Sequence, residues 1–246
     1  MISHAEPVMG TVVSFLVDPG ALEPSVVEGA VRAACSELHR LDLRFSAWRD
    51  DSELSTMRGA NGPPPSPLMQ EVMDLCGVAC EETHGLFDPW ALPGGFDPTG
   101  LVKGWAAERA LAIVVGVGVE SALVNAGGDV AVHGSPQGVG VRHPRRPDAL
   151  CAVVSVASAV ATSGTYERGD HLTHPFGFAV SAVSATVVGG RLALCDAWAT
   201  ALAVGGAEAL FLLEQLPQYE AFFITEDEKM YTTRSMAFAH RVDVVA

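Results

Sequence analysis

Apolar side chains recur with two different periods along the first half of the chain. Residues 8–17 alternate between apolar and polar positions, which predicts a strand closed by a proline–glycine turn. Helical spacing of apolar residues then predicts helices over residues 24–41, 69–83 and 103–115. Three prolines and several glycines fall within residues 86–100, so we expect an irregular loop there.

The second half of the chain is dominated by short strands. From about residue 121 onward, short apolar segments alternate with turn residues, and residues 178–188 predict a further strand. Residues 191–204 predict an apolar helix, and a hairpin is expected around 226–227. Because helices and strands are mixed without regular βαβ alternation, we predict an α+β fold with a mixed β-sheet core and flanking helices. No linker divides the sequence, so one domain is expected over residues 1–246.

Composition and charge narrow the class of protein. Hydrophobic residues make up 49% of the chain and charged residues 18%, so a large core is expected and global disorder is not. The formal net charge of −14 disfavours binding to nucleic acid or to an anionic membrane surface. No apolar stretch reaches the roughly 18 residues that a membrane span requires. We therefore expect neither nucleic-acid binding nor membrane insertion.

The cysteines and the first residues bear on the cellular compartment. The five cysteines are an odd number, are scattered, and mostly lie in apolar runs, so they are interpreted as small buried hydrophobic side chains rather than as a zinc site. The N-terminal residues lack a basic segment followed by an apolar one, as a signal peptide would have. A reducing, cytoplasmic location is expected.

Asp196 and Thr200 are the most informative polar residues of the predicted apolar helix. They lie four residues apart and therefore share one helix face. A buried carboxylate is costly unless it is paired or bound to a metal. One carboxylate and one hydroxyl suit Mg²⁺, which takes further ligands from water and substrate phosphates. An ion pair between Asp196 and an arginine, with Thr200 bonded to a carbonyl one turn earlier, explains the helix about equally well.

Three other segments carry groups that can hold an anion. The two glycines of Asn125–Asp129 let main-chain amides approach a ligand, although an ordinary hairpin turn explains this segment better. Residues 161–166 carry several hydroxyls, which can hold phosphate oxygens or simply form a turn. Lys103 lies at the start of a predicted helix, where the helix dipole and the ammonium group favour a phosphate.

Two histidines and one tryptophan complete the candidates. His171 and His174 are spaced as HxxH in a polar segment, which more often places histidines at the surface than in a metal site. A histidine near a phosphate-binding loop can nevertheless act as an acid or base at neutral pH. Trp48 fits either core packing or a flat platform for an aromatic ligand ring.

The order of the motifs is more specific than any one of them. They are Glu6–Thr11 (EPVMGT), Phe45–Trp48 (FSAW), Asp51–Glu53 (DSE), Phe87–Pro89 (FDP), Gly100–Ala106 (GLVKGWA), Asn125–Asp129 (NAGGD), Ser163–Tyr166 (SGTY), His171 and Asp196–Thr200 (DAWAT). From about residue 5 to residue 205, this series resembles the ApbE family of FAD:protein FMN transferases. The resemblance implies an ApbE-like, T-fold-like architecture, either as one body or as two lobes with the FAD site between them.

The resemblance also implies the chemistry. A Thr or Ser hydroxyl of a target protein attacks the FMN-side phosphorus of FAD, AMP leaves, and Mg²⁺ assists. Asp196, Thr200 and the main-chain carbonyl of Val102 would bind the metal, and His171 would act in the transfer step. Together with the amide and hydroxyl groups noted above, the implied cofactor-binding residues are Met9, Trp48, Lys103, Gly127, Gly128, Asp129, Ser163 and Thr165.

The sequence departs from the family pattern in two places. The family often has a longer segment between its FDP and KG motifs, whereas only about a dozen residues separate Pro89 from Lys103 here. The segment after His171 contains His174-Pro175-Phe176-Gly177 where the family has an acidic residue, proline, threonine and glycine, and this second departure keeps other activities open. The alternatives are an FAD pyrophosphate hydrolase that gives FMN and AMP, and a flavin-binding protein without catalysis. The sequence does not identify the acceptor protein or the oligomeric state.

Overall fold

Helices and antiparallel strands together build this protein, which confirms the predicted α+β class. The computed structural model describes residues 1–58, 62–91, 94–146, 148–164 and 180–241. The helices are α1 (Pro24–Phe45), α2 (Glu53–Met57), α3 (Pro67–Glu82), α4 (Thr99–Val115), α5 (Leu192–Gly205) and α6 (Ala207–Leu213). The strands are β1 (Ile2–Val8), β2 (Thr11–Asp18), β3 (Ser121–Ala126), β4 (Asp129–His133), β5 (Gln137–Arg142), β6 (Leu150–Val156), β7 (Ala159–Gly164), β8 (Ser184–Gly189), β9 (Glu220–Ile224), β10 (Met230–Thr232) and β11 (Phe238–Arg241).

The strands form a large sheet and a small one. The large sheet has eight strands in the order β1-β2-β3-β4-β7-β8-β9-β10, and the small sheet has three in the order β11-β6-β5. All strand pairs in the described ranges are antiparallel. Between β4 and β7, the chain leaves the large sheet to form β5 and β6, then returns beside β4.

The central strands of the large sheet are buried on both faces. Along β4, Val130 and Val132 pack with residues of β5 and β6, whereas Ala131 packs with the helices. In the same way, Phe222 of β9 packs with residues of β5 and β6, whereas Phe223 packs with the helices. Because side chains alternate between sheet faces, the helices cover one face and the small sheet covers the other. The continuous apolar character of these strands follows from this double burial.

Helix α5 lies in the centre of the helical layer. Eleven of its fourteen residues are buried, including Asp196. Its close partner is α4: a Cβ atom at Gly104 would lie 2.7 Å from the carbonyl oxygen of Leu192. Only a glycine at this position lets the two helix backbones approach so closely.

The prediction of a single strand over residues 8–17 is wrong. Residues 8–17 contain the turn between β1 and β2, where Met9 has φ 56° and Gly10 has φ 70°. Both residues have the left-handed conformation that a two-residue hairpin turn requires. The alternation in fact belongs to β2, whereas β1 is an edge strand with mostly exposed side chains and gives no such signal.

Other boundaries also differ from the sequence-based prediction. Of the predicted strand 178–188, the described residues 180–183 are not in a strand, which begins at Ser184. Helices α2 and α6 are too short for a periodic signal and were not predicted. Helix α4 begins at Thr99 instead of Lys103, because Leu101 and Val102 already donate to the carbonyl of Pro98.

The assignment of residues 1–246 to one domain, with or without two lobes, stays a prediction. In the described part of the chain, each helix is either too short or too polar to cross a bilayer.

Candidate functional site

Antiparallel pairing brings distant motifs to one end of the large sheet. Val13 of β2 pairs with Ala126 of β3, so the Met9-Gly10 turn before β2 lies at the same end as the Gly127-Gly128 turn after β3. Strand β7 runs antiparallel to β4, so its last residues return to the start of β4. The sheet topology therefore gathers the turn glycines, Asp129 and Ser163 in one region.

Asp196 and Thr200 project from α5 toward this region. Asp196 is 4% exposed, and its Oδ2 accepts a hydrogen bond from the Gly104 amide at 3.2 Å. The Thr200 hydroxyl lies 3.3 Å from the hydroxyl of Ser163 on β7. The predicted metal pair therefore lies between the first turns of α4 and the end of β7, with Asp196 buried and Thr200 partly buried.

Gly100 lies close to Thr200 and has no side chain that would crowd its hydroxyl. A Cβ atom at position 100 would lie 3.1 Å from Thr200 Oγ1 and 3.1 Å from the Phe87 ring. Gly100 also lies in the first turn of α4, two residues before Val102. The Asp196 carboxylate and the Thr200 hydroxyl are hard oxygen donors of the kind that Mg²⁺ prefers.

Lys103 and Asp129 join α4 to the sheet. The Lys103 ammonium is in contact with Asp129 Oδ2 as an ion pair, without the geometry of a directional hydrogen bond. The other carboxylate oxygen, Oδ1, accepts a hydrogen bond from the Thr162 amide at 3.1 Å. Asp129 is completely buried, and the side chain of Lys103 is only 12% exposed. Two residues that are separate motifs in the sequence thus form one buried charge pair.

The glycine pair forms a hairpin turn, as the simpler interpretation of this segment predicted. Ala126 pairs with Asp129, and Gly127 and Gly128 between them have φ 64° and 102°. The Asn125 side chain accepts a hydrogen bond from the Gly128 amide at 2.8 Å. A Cβ atom on Gly127 would lie 2.5 Å from the Thr11 hydroxyl, so this turn packs against the start of β2.

Met9 and Trp48 have opposite environments. Met9 is partly buried and packs against the main core from the β1–β2 turn. Trp48 is 95% exposed, which excludes the core-packing interpretation of this residue. An indole with so little apolar contact is available to stack on a ligand ring.

Several predicted residues lie outside the described ranges. These are Thr165, His171 and the departure from the family pattern at His174-Pro175-Phe176-Gly177. Their predicted roles stay predictions. Val102 is described and is buried in the first turn of α4, directly before Lys103.

Comparison with known proteins decides the family. The sequence profile of the ApbE family matches residues 9–95 and 93–223. The chain belongs to the ApbE family. Its similarity to the FAD:protein FMN transferase of Rhodobacter capsulatus is 34% identity over 150 residues, which cover 54% of this chain and 29% of that protein. The aligned region is therefore less than a third of that relative's length.

Solved ApbE structures share the fold. The ApbE protein of Thermotoga maritima matches with a TM-score of 0.82 and 21% identity, over 95% of this chain and 97% of that one. The flavin transferase ApbE of Vibrio cholerae matches with a TM-score of 0.80 and 19% identity, over 95% and 97% of the two chains. At such low identity, these matches establish the architecture of this ApbE-family chain.

Sequence reasoning missed Glu108, which holds the start of α5. Arg191, the residue at the N-terminal cap of α5, provides no side-chain cap. Glu108 of α4 supplies one instead: its Oε1 accepts a hydrogen bond from the Leu192 amide, and its Oε2 lies 3.5 Å from the Arg191 guanidinium. Burial raises the pKa of the Glu108 carboxyl above its ordinary value, although Arg191 and the amides oppose this rise. The sequence signal was the absence of a capping residue before an apolar helix.

A cleft lies elsewhere in the described part of this ApbE-family fold. It has a volume of about 290 Å³ and is lined by residues that include Glu108, His133 and Ser158. None of the predicted metal or cofactor residues lines it. His133 and Ser158 lie at the opposite ends of β4 and β7 from Asp129 and Ser163, so the candidate site is distinct from this cleft.

Proposed function

We propose that this chain transfers FMN from FAD to a Thr or Ser hydroxyl of a target protein and releases AMP. The observation that carries the proposal is the convergence of buried Asp196 and partly buried Thr200 with the Lys103–Asp129 ion pair at one end of the sheet. Membership of the ApbE family supports it, as does the name of the Rhodobacter capsulatus relative. FAD as donor and a protein as acceptor are the partners that this function requires.

Mg²⁺ is the metal that the donor set fits best. Asp196, Thr200 and the main-chain carbonyl of Val102 would hold it through oxygen atoms. The ion would supply neutralisation of pyrophosphate charge and Lewis-acid assistance. The absence of a side chain at Gly100 supports this assignment, because a side chain there would crowd the Thr200 hydroxyl.

The other predicted residues would position FAD. Phosphoryl-type transfer requires mainly positioning and charge neutralisation from the protein. Lys103 lies near the start of α4 and would face the phosphates while Asp129 holds its ammonium group in place. Amides of Gly127 and Gly128 and hydroxyls of Ser163 and Thr165 would donate to FAD, with Met9 and Trp48 flanking an aromatic ring of the cofactor.

His171 would complete the reaction on the acceptor side. The acceptor oxygen forms a bond to the FMN-side phosphorus, the bond from that phosphorus to AMP breaks, and the histidine takes the hydroxyl proton or orients the hydroxyl. The altered residues 174–177 lie in the same segment, so the choice of acceptor is the part of the proposal most open to change. FAD hydrolysis and flavin binding without catalysis are the two rival functions.

We also propose that the protein is located in a reducing cellular compartment. All five cysteines are free in the structure, which is compatible with a reducing compartment such as the cytoplasm. The net charge of −14 favours protein and small-molecule partners over nucleic acid.

One assay separates the three functions. The purified protein is incubated with FAD and Mg²⁺, with and without a panel of Thr- and Ser-containing acceptor proteins. Transfer predicts a flavin-fluorescent acceptor band on a denaturing gel together with an equal amount of AMP. AMP that is released equally without any acceptor would indicate the hydrolase. Retained FAD without AMP under all conditions would contradict both enzymes and leave the binding protein.

A further inference from the structure

A second group of metal-binding side chains lies between β1 and α1. His4 and Glu6 are on β1, and Cys35 is on α1. The imidazole nitrogen, a carboxylate oxygen and the thiol sulfur of these three residues all lie within 4.8 Å of one another. His39, one helical turn after Cys35, adds a contact of 2.8 Å between its Nε2 and Glu6 Oε1.

The backbone explains why these side chains meet. His4 pairs with Phe15 and Glu6 pairs with Val13, and both partners belong to the core cluster on the helix-covered face. Directly paired residues of antiparallel strands share a face, so His4 and Glu6 face α1. Cys35 and His39 are four residues apart and share the helix face turned toward them. An i, i+2 pair on a strand therefore faces an i, i+4 pair on a helix.

The donor atoms favour a zinc-like ion. A thiolate and an imidazole are the ligands of Zn²⁺ and related transition metals, whereas Mg²⁺ prefers oxygen. Zinc bonds these donors at about 2.0–2.3 Å, so atoms that start within 4.8 Å of one another need only small side-chain rotations. Cys35 is 7% exposed and His4 has 41% of its side chain exposed, so the cluster extends from the core to the surface and an ion can enter.

We propose that His4, Glu6 and Cys35 bind a zinc-class divalent ion that ties the edge strand β1 to α1. Glu6 would bind through the oxygen that faces His4, at 3.2 Å. Its other oxygen would keep the contact with His39, which would orient the carboxylate from outside the ligand set. The exposed side of the ion would carry water as the fourth ligand. This site is independent of the proposed flavin chemistry and uses none of its residues.

Cobalt tests the proposal, because a thiolate bound to Co²⁺ has a characteristic near-ultraviolet charge-transfer absorption. The metal-stripped protein is titrated with Co²⁺ in excess Mg²⁺, which occupies oxygen-donor sites. One equivalent of Co²⁺ should produce the band, and one equivalent of Zn²⁺ should abolish it. Absence of the band, or no loss of it with Zn²⁺, would overturn the proposal.

Matched variants assign the ligands. Cys35→Ser should abolish the band, while Cys80→Ser, which changes a partly buried cysteine on α3, should leave it intact. His4→Gln should weaken Co²⁺ binding at least about tenfold, and His39→Ala should weaken it by about 10–100-fold while the band stays at the same wavelength. His133→Gln changes a histidine outside the proposed site, so this control should leave Co²⁺ binding unchanged. His4 is exposed, so its variant stays informative if Cys35→Ser fails to fold; an unchanged affinity in folded His4→Gln would reject the site.

Discussion

The Thr200 hydroxyl is not crowded by residue 100, because that residue is a glycine without a side chain. The Cβ of any other residue at that position would come within 3.1 Å of both the hydroxyl and the Phe87 ring. We expect Thr200 to relieve such crowding by rotating its hydroxyl away, which would remove a proposed metal ligand. The proposed metal site therefore depends on the absence of a side chain at position 100 as well as on its charged residues.

Gly100→Ala should therefore separate activity from stability. Alanine is favoured over glycine in a helix by about 1 kcal/mol, which offsets the crowding, so we expect the free energy of unfolding to change by less than about 1 kcal/mol. The Mg²⁺ concentration needed for half-maximal AMP release should rise about tenfold or more, since overpacking typically costs about 1–3 kcal/mol. Gly77→Ala in α3, where nothing lies within 4 Å of the new methyl group, is the control and should leave activity unchanged.

Asp196→Asn should remove the charge that the proposed metal needs while nearly preserving the shape of the side chain. A bound metal supplies several kcal/mol of stabilisation to the transition state, so we expect Mg²⁺-dependent AMP release to fall more than about 100-fold. Asp227→Asn, in the exposed hairpin where Asp227 pairs with Lys229, should retain full activity. Full activity in folded Asp196→Asn would reject the metal assignment.

At the scale of elements, α5 depends on α4 for its position. Gly104 allows the close approach of the two helices and donates its amide to Asp196. Glu108, one turn later, caps the N-terminus of α5 and pairs with Arg191. Because the cap comes from a neighbouring helix, the first turn of α5 forms correctly only when α4 is packed against it.

Glu108→Ala should destabilise the protein by about 1–3 kcal/mol, the typical cost of leaving a buried amide without its acceptor. Urea unfolding measures the free energy. Glu28→Ala on α1 changes an exposed glutamate that pairs with Arg32 at 4.0 Å, so it should cost less than about 0.5 kcal/mol. Equal effects of the two substitutions would contradict the capping role.

The elements also show where periodicity predicts structure and where it does not. Helices α1, α3 and α5 were predicted to within a few residues, because each buries one face or its whole surface. Strand β1 was missed because it is an edge strand with polar side chains and a proline, so its residues carry no apolar alternation. With β1 missing, the approach of His4 and Glu6 to Cys35 could not be foreseen.

At the scale of the whole molecule, the large sheet separates two cores. Its helix-covered face carries Asp129 and the contacts to α4 and α5, and the opposite face packs against the small sheet. Phe222 of β9 is fully buried in the second core, with its ring 5.4 Å from that of Phe238. The second core therefore packs against the sheet face opposite the helices and contains none of the predicted site residues.

Phe222→Ala should lower the free energy of unfolding by about 3–5 kcal/mol, because it leaves a large cavity in the second core. Under conditions where the variant remains folded, its Mg²⁺ dependence should match that of the unmodified protein. Phe211→Ala, which removes a side chain that is 67% exposed, should change stability by less than about 0.5 kcal/mol. A raised Mg²⁺ requirement in folded Phe222→Ala would show that the two cores are coupled.

The sequence by itself determined the local features of this protein. Helical periodicity placed Asp196 and Thr200 on one face of a buried helix, turn chemistry predicted the Gly127-Gly128 hairpin, and the order of the motifs indicated the ApbE family. Only the tertiary structure decided that Lys103 contacts Asp129, that Ser163 meets Thr200, and that Glu108 caps α5. Periodicity and turn propensity act over a few residues, whereas these contacts join residues separated by tens of positions and form only when the sheet pairs and the helices pack.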